Sequence, residues 1–123
     1  TVYNRDLFFG DIRKIDIGPS EFVGLIKNAA YVCSDSYHAC IFSINLQTKF
    51  FALKRHEDND KENQNARITN VLNKLDLKSR YVQNYKYDIE SALEMDFSEA
   101  NSRLLKLRED SIDFLLNALQ QQI

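Results

Sequence analysis

The strongest constraint on this chain lies between residues 31 and 53. Tyr31, Val32 and Cys33 are apolar at consecutive positions and lead into Ser34, a run too short for a helix. Consecutive apolar residues of this kind predict a strand buried on both faces. Asp35-Ser36 then turns the chain, and residues 37–46 read as a helix that is apolar nearly all round, through Tyr37, Ala39, Cys40, Ile41, Phe42 and Ile44. Residues 48–53 follow as a second short strand rich in aromatic side chains. Strand, buried helix, strand is the grammar of a parallel sheet. The two strands are expected to be neighbouring or near-neighbouring and parallel. An open α/β sheet binds its ligands beyond the carboxyl ends of its strands. Here those ends lead into Asp35-Ser36-Tyr37-His38 and into Lys54-Arg55-His56.

The flanking segments fit the same class. Residues 3–9 are a weak strand candidate, and Ile15 and Ile17 alternate with polar residues as a half-buried extended segment would. Gly18-Pro19-Ser20-Glu21 punctuates the chain. Proline is tolerated in a first helical turn because its missing N–H would be unpaired there. Phe22, Leu25, Ile26 and Ala29 then follow at helical spacing. Residues 54–65 contain no apolar residue and predict a solvated, mobile loop. Ile68, Val71, Leu72 and Leu75 restore the helical period. Residues 80–95 give no clear pattern beyond extended pieces and a short helical turn. Asp96 or Ser98 caps a long helix to about Leu119, with one stripe through Leu104, Leu107 and Phe114 and another through Leu105, Ile112, Leu116 and Leu119. That is more apolar surface than so small a domain can cover.

Composition excludes several classes. The chain has 123 residues, about one domain. Its 16 basic and 18 acidic residues nearly cancel, which argues against a nucleic-acid binder working by bulk charge. Eight Phe and six Tyr argue against disorder. No run is apolar enough for the ~20 residues a membrane helix needs. Cys33 and Cys40 lack the further ligands of a zinc site and are expected as reduced, buried thiols, which suits a reducing cytoplasm. The acidic residues of the charged loop lack the spacing and glycine of a calcium loop, so no metal site is expected.

Four residues stand out as site candidates. His38 falls in the first turn of the buried helix, where backbone N–H groups are unpaired and carry the positive end of the helix dipole. It is either a ligand-facing imidazole or a structural one. Ser36 at that helix start is either a plain cap or a ligand group. Arg55 leaves the second strand at the same edge of the sheet and has the fork geometry that grips phosphate or carboxylate. Arg67 starts the next helix, where a cation is unfavourable by the dipole alone and so points to an anionic partner. His56 reads as a solvated residue of the charged loop.

An ordered series of residues resembles the C-terminal part of the polysaccharide pyruvyl transferase family. It runs from Gly18-Pro19-Ser20-Glu21-Phe22 through Ile26, Asn28-Ala29-Ala30, Val32, Ser34-Asp35-Ser36-Tyr37-His38 and Ile41-Phe42 to Phe50-Phe51 and Arg55. Ala66-Arg67-Ile68, Leu72, Leu75-Asp76-Leu77 and Arg80 are similar to a later stretch of the family, and Leu105 to Leu119 to its closing helix. One departure is visible: Ala39 stands where the family pattern has glycine after the histidine.

The resemblance implies transfer of a pyruvyl group from phosphoenolpyruvate to two sugar hydroxyls, giving a cyclic ketal on a bacterial surface polysaccharide or its precursor. It implies a Rossmann-like α/β domain, the second of two in a GT-B-type enzyme, with residues 1–123 forming that C-terminal domain. The partners implied are an N-terminal domain of the same chain, phosphoenolpyruvate and a saccharide acceptor, including a lipid-linked one, with no nucleic acid and no cofactor beyond the donor substrate. The location implied is cytoplasmic, at the inner face of the membrane where the acceptor is lipid-linked. His38 takes the place of the family's motif histidine and would be catalytic. Ser36, Arg55 and Arg67 would bind the phosphate and carboxylate. Starting at Thr1 and ending in an oversized helix, the chain reads as a piece of a longer protein, inactive by itself. Two other functions share the pattern: a GT-B glycosyltransferase domain holding a sugar nucleotide at the same helix start, and a non-catalytic α/β interaction domain.

Overall fold

The computed structural model describes residues 12, 14, 16–57, 59, 64–84, 90 and 94–121. The expected strand at 3–9, Ile15 and part of the charged loop (58 and 60–63) lie outside them, as do Tyr85, Tyr87 and Ile89.

The parallel pair is present. Strand β1 (Val32–Ser34) pairs with β2 (Phe50–Leu53), Val32 opposite Phe50 and Ser34 opposite Ala52. The connection is helix α2 (Tyr37–Asn45). Strand β3 (Tyr81–Val82) extends the sheet on the far side of β2, again parallel, in the order β1-β2-β3. Helix α1 (Pro19–Asn28) precedes β1 and α3 (Asn65–Lys74) follows β2. A 3₁₀ turn (Lys78–Arg80) feeds β3, and the long α4 (Ser98–Gln120) closes the described chain. This is an α/β fold around a small parallel sheet.

Alternation along β2 divides the core. Phe50 and Ala52 point to the larger cluster, with Cys40 and Ile44 of α2, Ile68 and Leu72 of α3, and Ala100 of α4. Phe51 points the other way and meets Val82 and Leu53. Above that second face the Arg80 guanidinium lies 5.5 Å from the Phe51 ring centroid, and burial lowers its pKa. β2 is thus covered on both sides, as its sequence implies. β1 is not. It is an edge strand among the described residues, so Cys33 is exposed and only Cys40 is buried. The expectation of two buried thiols holds for one. Burial, with the charge of Asp35 adding to it, pushes the Cys40 thiol up to about 12. A thiol reagent is therefore expected to modify Cys33 in the folded protein and to reach Cys40 only after denaturation. Equal rates at both would contradict this packing.

Helix ends are set by different chemistry. Gly18 precedes Pro19 at the start of α1, and Ser36 caps α2, its Oγ accepting from the Ala39 amide at 3.5 Å. Helices α2 and α3 end alike, with Gln47 and Asp76 in the left-handed region (φ 55° and 58°). In each, the next amide reaches back to a carbonyl in the last turn, Thr48 to Ser43 at 2.9 Å and Leu77 to Leu72 at 2.7 Å. Both candidate caps of α4 take part in one turn: Asp96 accepts from the Ser98 hydroxyl at 2.6 Å and from its amide at 2.9 Å, which lowers the Asp96 pKa.

Helix α4 has 23 residues and spans about 35 Å. Its first half packs on the core through Ala100, Leu104 and Leu107, and Arg108 reaches Asn45 of α2 at 2.6 Å. Beyond that point every described residue is exposed, including Ile112, Leu115, Leu116, Leu119 and Phe114, the last 77% exposed. The expected surplus of apolar surface is real. Among the described residues no helix is long and apolar enough to cross a membrane.

Candidate functional site

A cleft of about 220 Å³ opens at the carboxyl ends of β1 and β2. Three segments build it. The turn after β1 and the start of α2 supply Asp35, Ser36, Tyr37 and His38. The exit of β2 supplies Arg55 and His56. The start of α3 supplies Gln64, Asn65, Arg67 and Ile68. All four residues singled out in the sequence, Ser36, His38, Arg55 and Arg67, line this one space.

Helix α2 brings its N-terminal amides to the cleft. Ser36 N donates to Ser34 Oγ at 3.1 Å, and the Ala39 and Cys40 amides are taken by Ser36 Oγ and Ser36 O. The amides of Tyr37 and His38 have no protein partner among the described residues, so they and the dipole of α2 remain for an anion. Ser36 holds its cap with an oxygen lone pair, which leaves its hydroxyl proton to donate. Cap and ligand group are therefore compatible roles.

His38 is exposed, and its ring stands edge-on to Tyr37 with centroids 5.8 Å apart. Tyr37 is the shared floor, because the Arg67 guanidinium lies 4.5 Å from the centroid of the same ring. Arg67 also donates to Gln64 Oε1 at 3.3 Å. Across the cleft, Arg55 Nε lies 3.7 Å from the Asp35 carboxylate, both side chains about half exposed. A pair that loose and that wet is worth little, roughly 0–1 kcal/mol. An incoming anion can displace Asp35 from Arg55 at small cost. Two guanidinium groups against one carboxylate give the cleft an anion's complement.

Two residues depart from the sequence reading. His56 is half-buried and lines the cleft rather than standing in solvent with its charged neighbours. Asn65, the first residue of α3, was invisible as a site residue. Its Oδ1 accepts from the Arg55 and His56 amides at 3.3 and 3.2 Å, and its Nδ2 donates to the His56 carbonyl at 2.7 Å. No local pattern announces such a contact. The one available signal was that Asn65 ends the polar run just where the helical period resumes.

Residues 2–57 match the model of the polysaccharide pyruvyl transferase family. This is the family to which the ordered series of residues pointed. No curated protein and no solved structure matches the chain significantly. The matched segment contains β1, α2 and β2, and with them Ser36, His38, Arg55 and His56. It stops short of Arg67, Asn65 and the long helix. Ala39, which replaces the glycine of the pyruvyl transferase pattern, is buried and does not line the cleft. Its methyl group leaves the ligand space unchanged.

Proposed function

We propose that this cleft is the donor site of a polysaccharide pyruvyl transferase and that phosphoenolpyruvate is the donor. The reading is supported above all by the convergence of Ser36, His38, Arg55 and Arg67 at the carboxyl edge of the parallel sheet, three of them inside the matched segment. Phosphoenolpyruvate carries a phosphate and a carboxylate on a three-carbon frame. Arg55, Arg67 and the free amides of α2 hold these two groups, and the Ser36 hydroxyl donates a further hydrogen bond. In the reaction one sugar hydroxyl adds to C2 of the enol phosphate and the methylene carbon takes up a proton. The C2–O bond to phosphate breaks as the second hydroxyl closes the ketal, and inorganic phosphate leaves. His38 is the proton donor, to the methylene carbon or to the departing phosphate.

The saccharide comes from the opposite wall. We place that wall in a preceding Rossmann-like domain of the same enzyme, arranged as in GT-B proteins, at the cytoplasmic face of the membrane when the acceptor is lipid-linked. The apolar half of α4 then packs against it, and residues 1–123 alone have no transferase activity.

Thermal melts with increasing phosphoenolpyruvate test the donor assignment. Ligand at 100 times its Kd adds about 2.7 kcal/mol to stability, a clear upward shift in Tm. A shift with a nucleoside diphosphate sugar and none with phosphoenolpyruvate would make the chain a glycosyltransferase domain instead.

A further inference from the structure

Arg55 and Arg67 sit on different elements, one on the exit of β2 and one on α3, and a contact made by Asn65 lies between them. The β2 backbone is held by β3 as far as Lys54, whose amide donates to Val82 O at 3.0 Å. The next two residues are held by a side chain. The Asn65 carboxamide takes the Arg55 and His56 amides and gives its own N–H to the His56 carbonyl, as a neighbouring strand would. Two residues further along α3, Arg67 is fixed over Tyr37. The path from one guanidinium to the other therefore runs Arg55 backbone, Asn65 side chain, first turn of α3, Arg67.

Helix α3 begins from Gln64, whose own side chain makes no cap hydrogen bond, and Asn65 is its first helical residue. From there the Asn65 carboxamide reaches residues nine and ten positions away in the chain.

We propose that Asn65 is a positioning residue which sets the spacing of Arg55 and Arg67, and that this spacing selects ligands with two anionic groups on a short rigid frame over ligands with one. The inference rests on the donor-site reading above and adds how the site discriminates. A single phosphate needs one guanidinium and the amides of α2, so the relative position of the two arginines is immaterial to it. A phosphate-carboxylate ligand gains from the second arginine only if both are held at its own length. Loosening the link makes the ligand bear the ordering cost at each encounter.

The test measures binding of phosphoenolpyruvate and of inorganic phosphate by calorimetry, with a circular dichroism melt for each variant of the full chain. Asn65→Ala is expected to raise the Kd for phosphoenolpyruvate on the order of 10-fold, while the Kd for phosphate changes less than about 3-fold. In an Arg67→Ala background the same substitution has little further effect on phosphoenolpyruvate, because there is no longer a pair to space. Asn65→Ser keeps one acceptor and serves if the Ala variant fails to fold. Equal weakening of both ligands, or an undiminished Asn65 effect without Arg67, means a merely structural residue and overturns the proposal. An unaltered protein that binds phosphate but not phosphoenolpyruvate overturns the donor-site reading itself.

Discussion

Replacing His38 by Ala in the intact enzyme is expected to leave the protein folded and to lower turnover by roughly 10²–10⁴, the usual worth of a general acid or base. The two halves of this result have separate causes. The imidazole is exposed at the start of α2, with its ring 5.8 Å from that of Tyr37 by centroids, so its removal opens no cavity. The same position puts it on the cleft lining, beside the helix start where the proposed enol phosphate donor would lie. Arg55→Ala and Arg67→Ala differ in kind. On the proposed donor-site reading they remove charges that would hold the ligand before and during reaction, and they are expected to raise KM for phosphoenolpyruvate more than they lower kcat. Near-normal turnover by the His38 variant would return the residue to a structural role.

The largest effect on stability is expected at Phe50. Its side chain is 0% exposed and lies between α2 and α3, against Cys40, Ile44, Ile68 and Leu72. Phe50→Ala loses the transfer energy of the ring and leaves a cavity that two helices and a strand cannot close, at about 3–5 kcal/mol. Domains of this kind hold about 5–15 kcal/mol in total. Urea denaturation is expected to show a large drop in midpoint. Phe114→Ala, on the open face of α4, is expected to leave the midpoint of the isolated chain almost unmoved. A similar drop at both positions would show that α4 is buried in solution by something else.

The sheet was legible because its signals are local. Consecutive apolar residues, the Asp35-Ser36 turn and the apolar circumference of α2 lie within 23 residues and agree with one another. The place of the cleft followed from the sheet, since parallel strands fix which end is open to a ligand. What the sequence concealed depends on partners distant along the chain. β3 is two residues long and has no pattern of its own; it exists because β2 offers it an edge. The ends of α2 and α3 carry Gln47 and Asp76 where glycine would have marked the left-handed turn. Cys33 looked buried because its neighbours are apolar, but burial of a strand residue is decided by whether its face of the sheet is covered, and the face of β1 that carries Cys33 is open among the described residues. His56 looked solvated for the opposite reason. Its charged neighbours describe the loop, whereas its place one step beyond Arg55 puts it in the cleft wall.

The Asn65 contact has a consequence for how such a chain can change over generations. Because the carboxamide joins the start of α3 directly to residues 55 and 56, the cleft wall does not depend on the length of the polar sequence between 57 and 63. Lengthening a closed loop is inexpensive, about 0.6 kcal/mol for each doubling. Insertions and deletions can accumulate there while the arginines keep their separation. The segment is a natural joint at which new sequence can be added beside the cleft without passing through it.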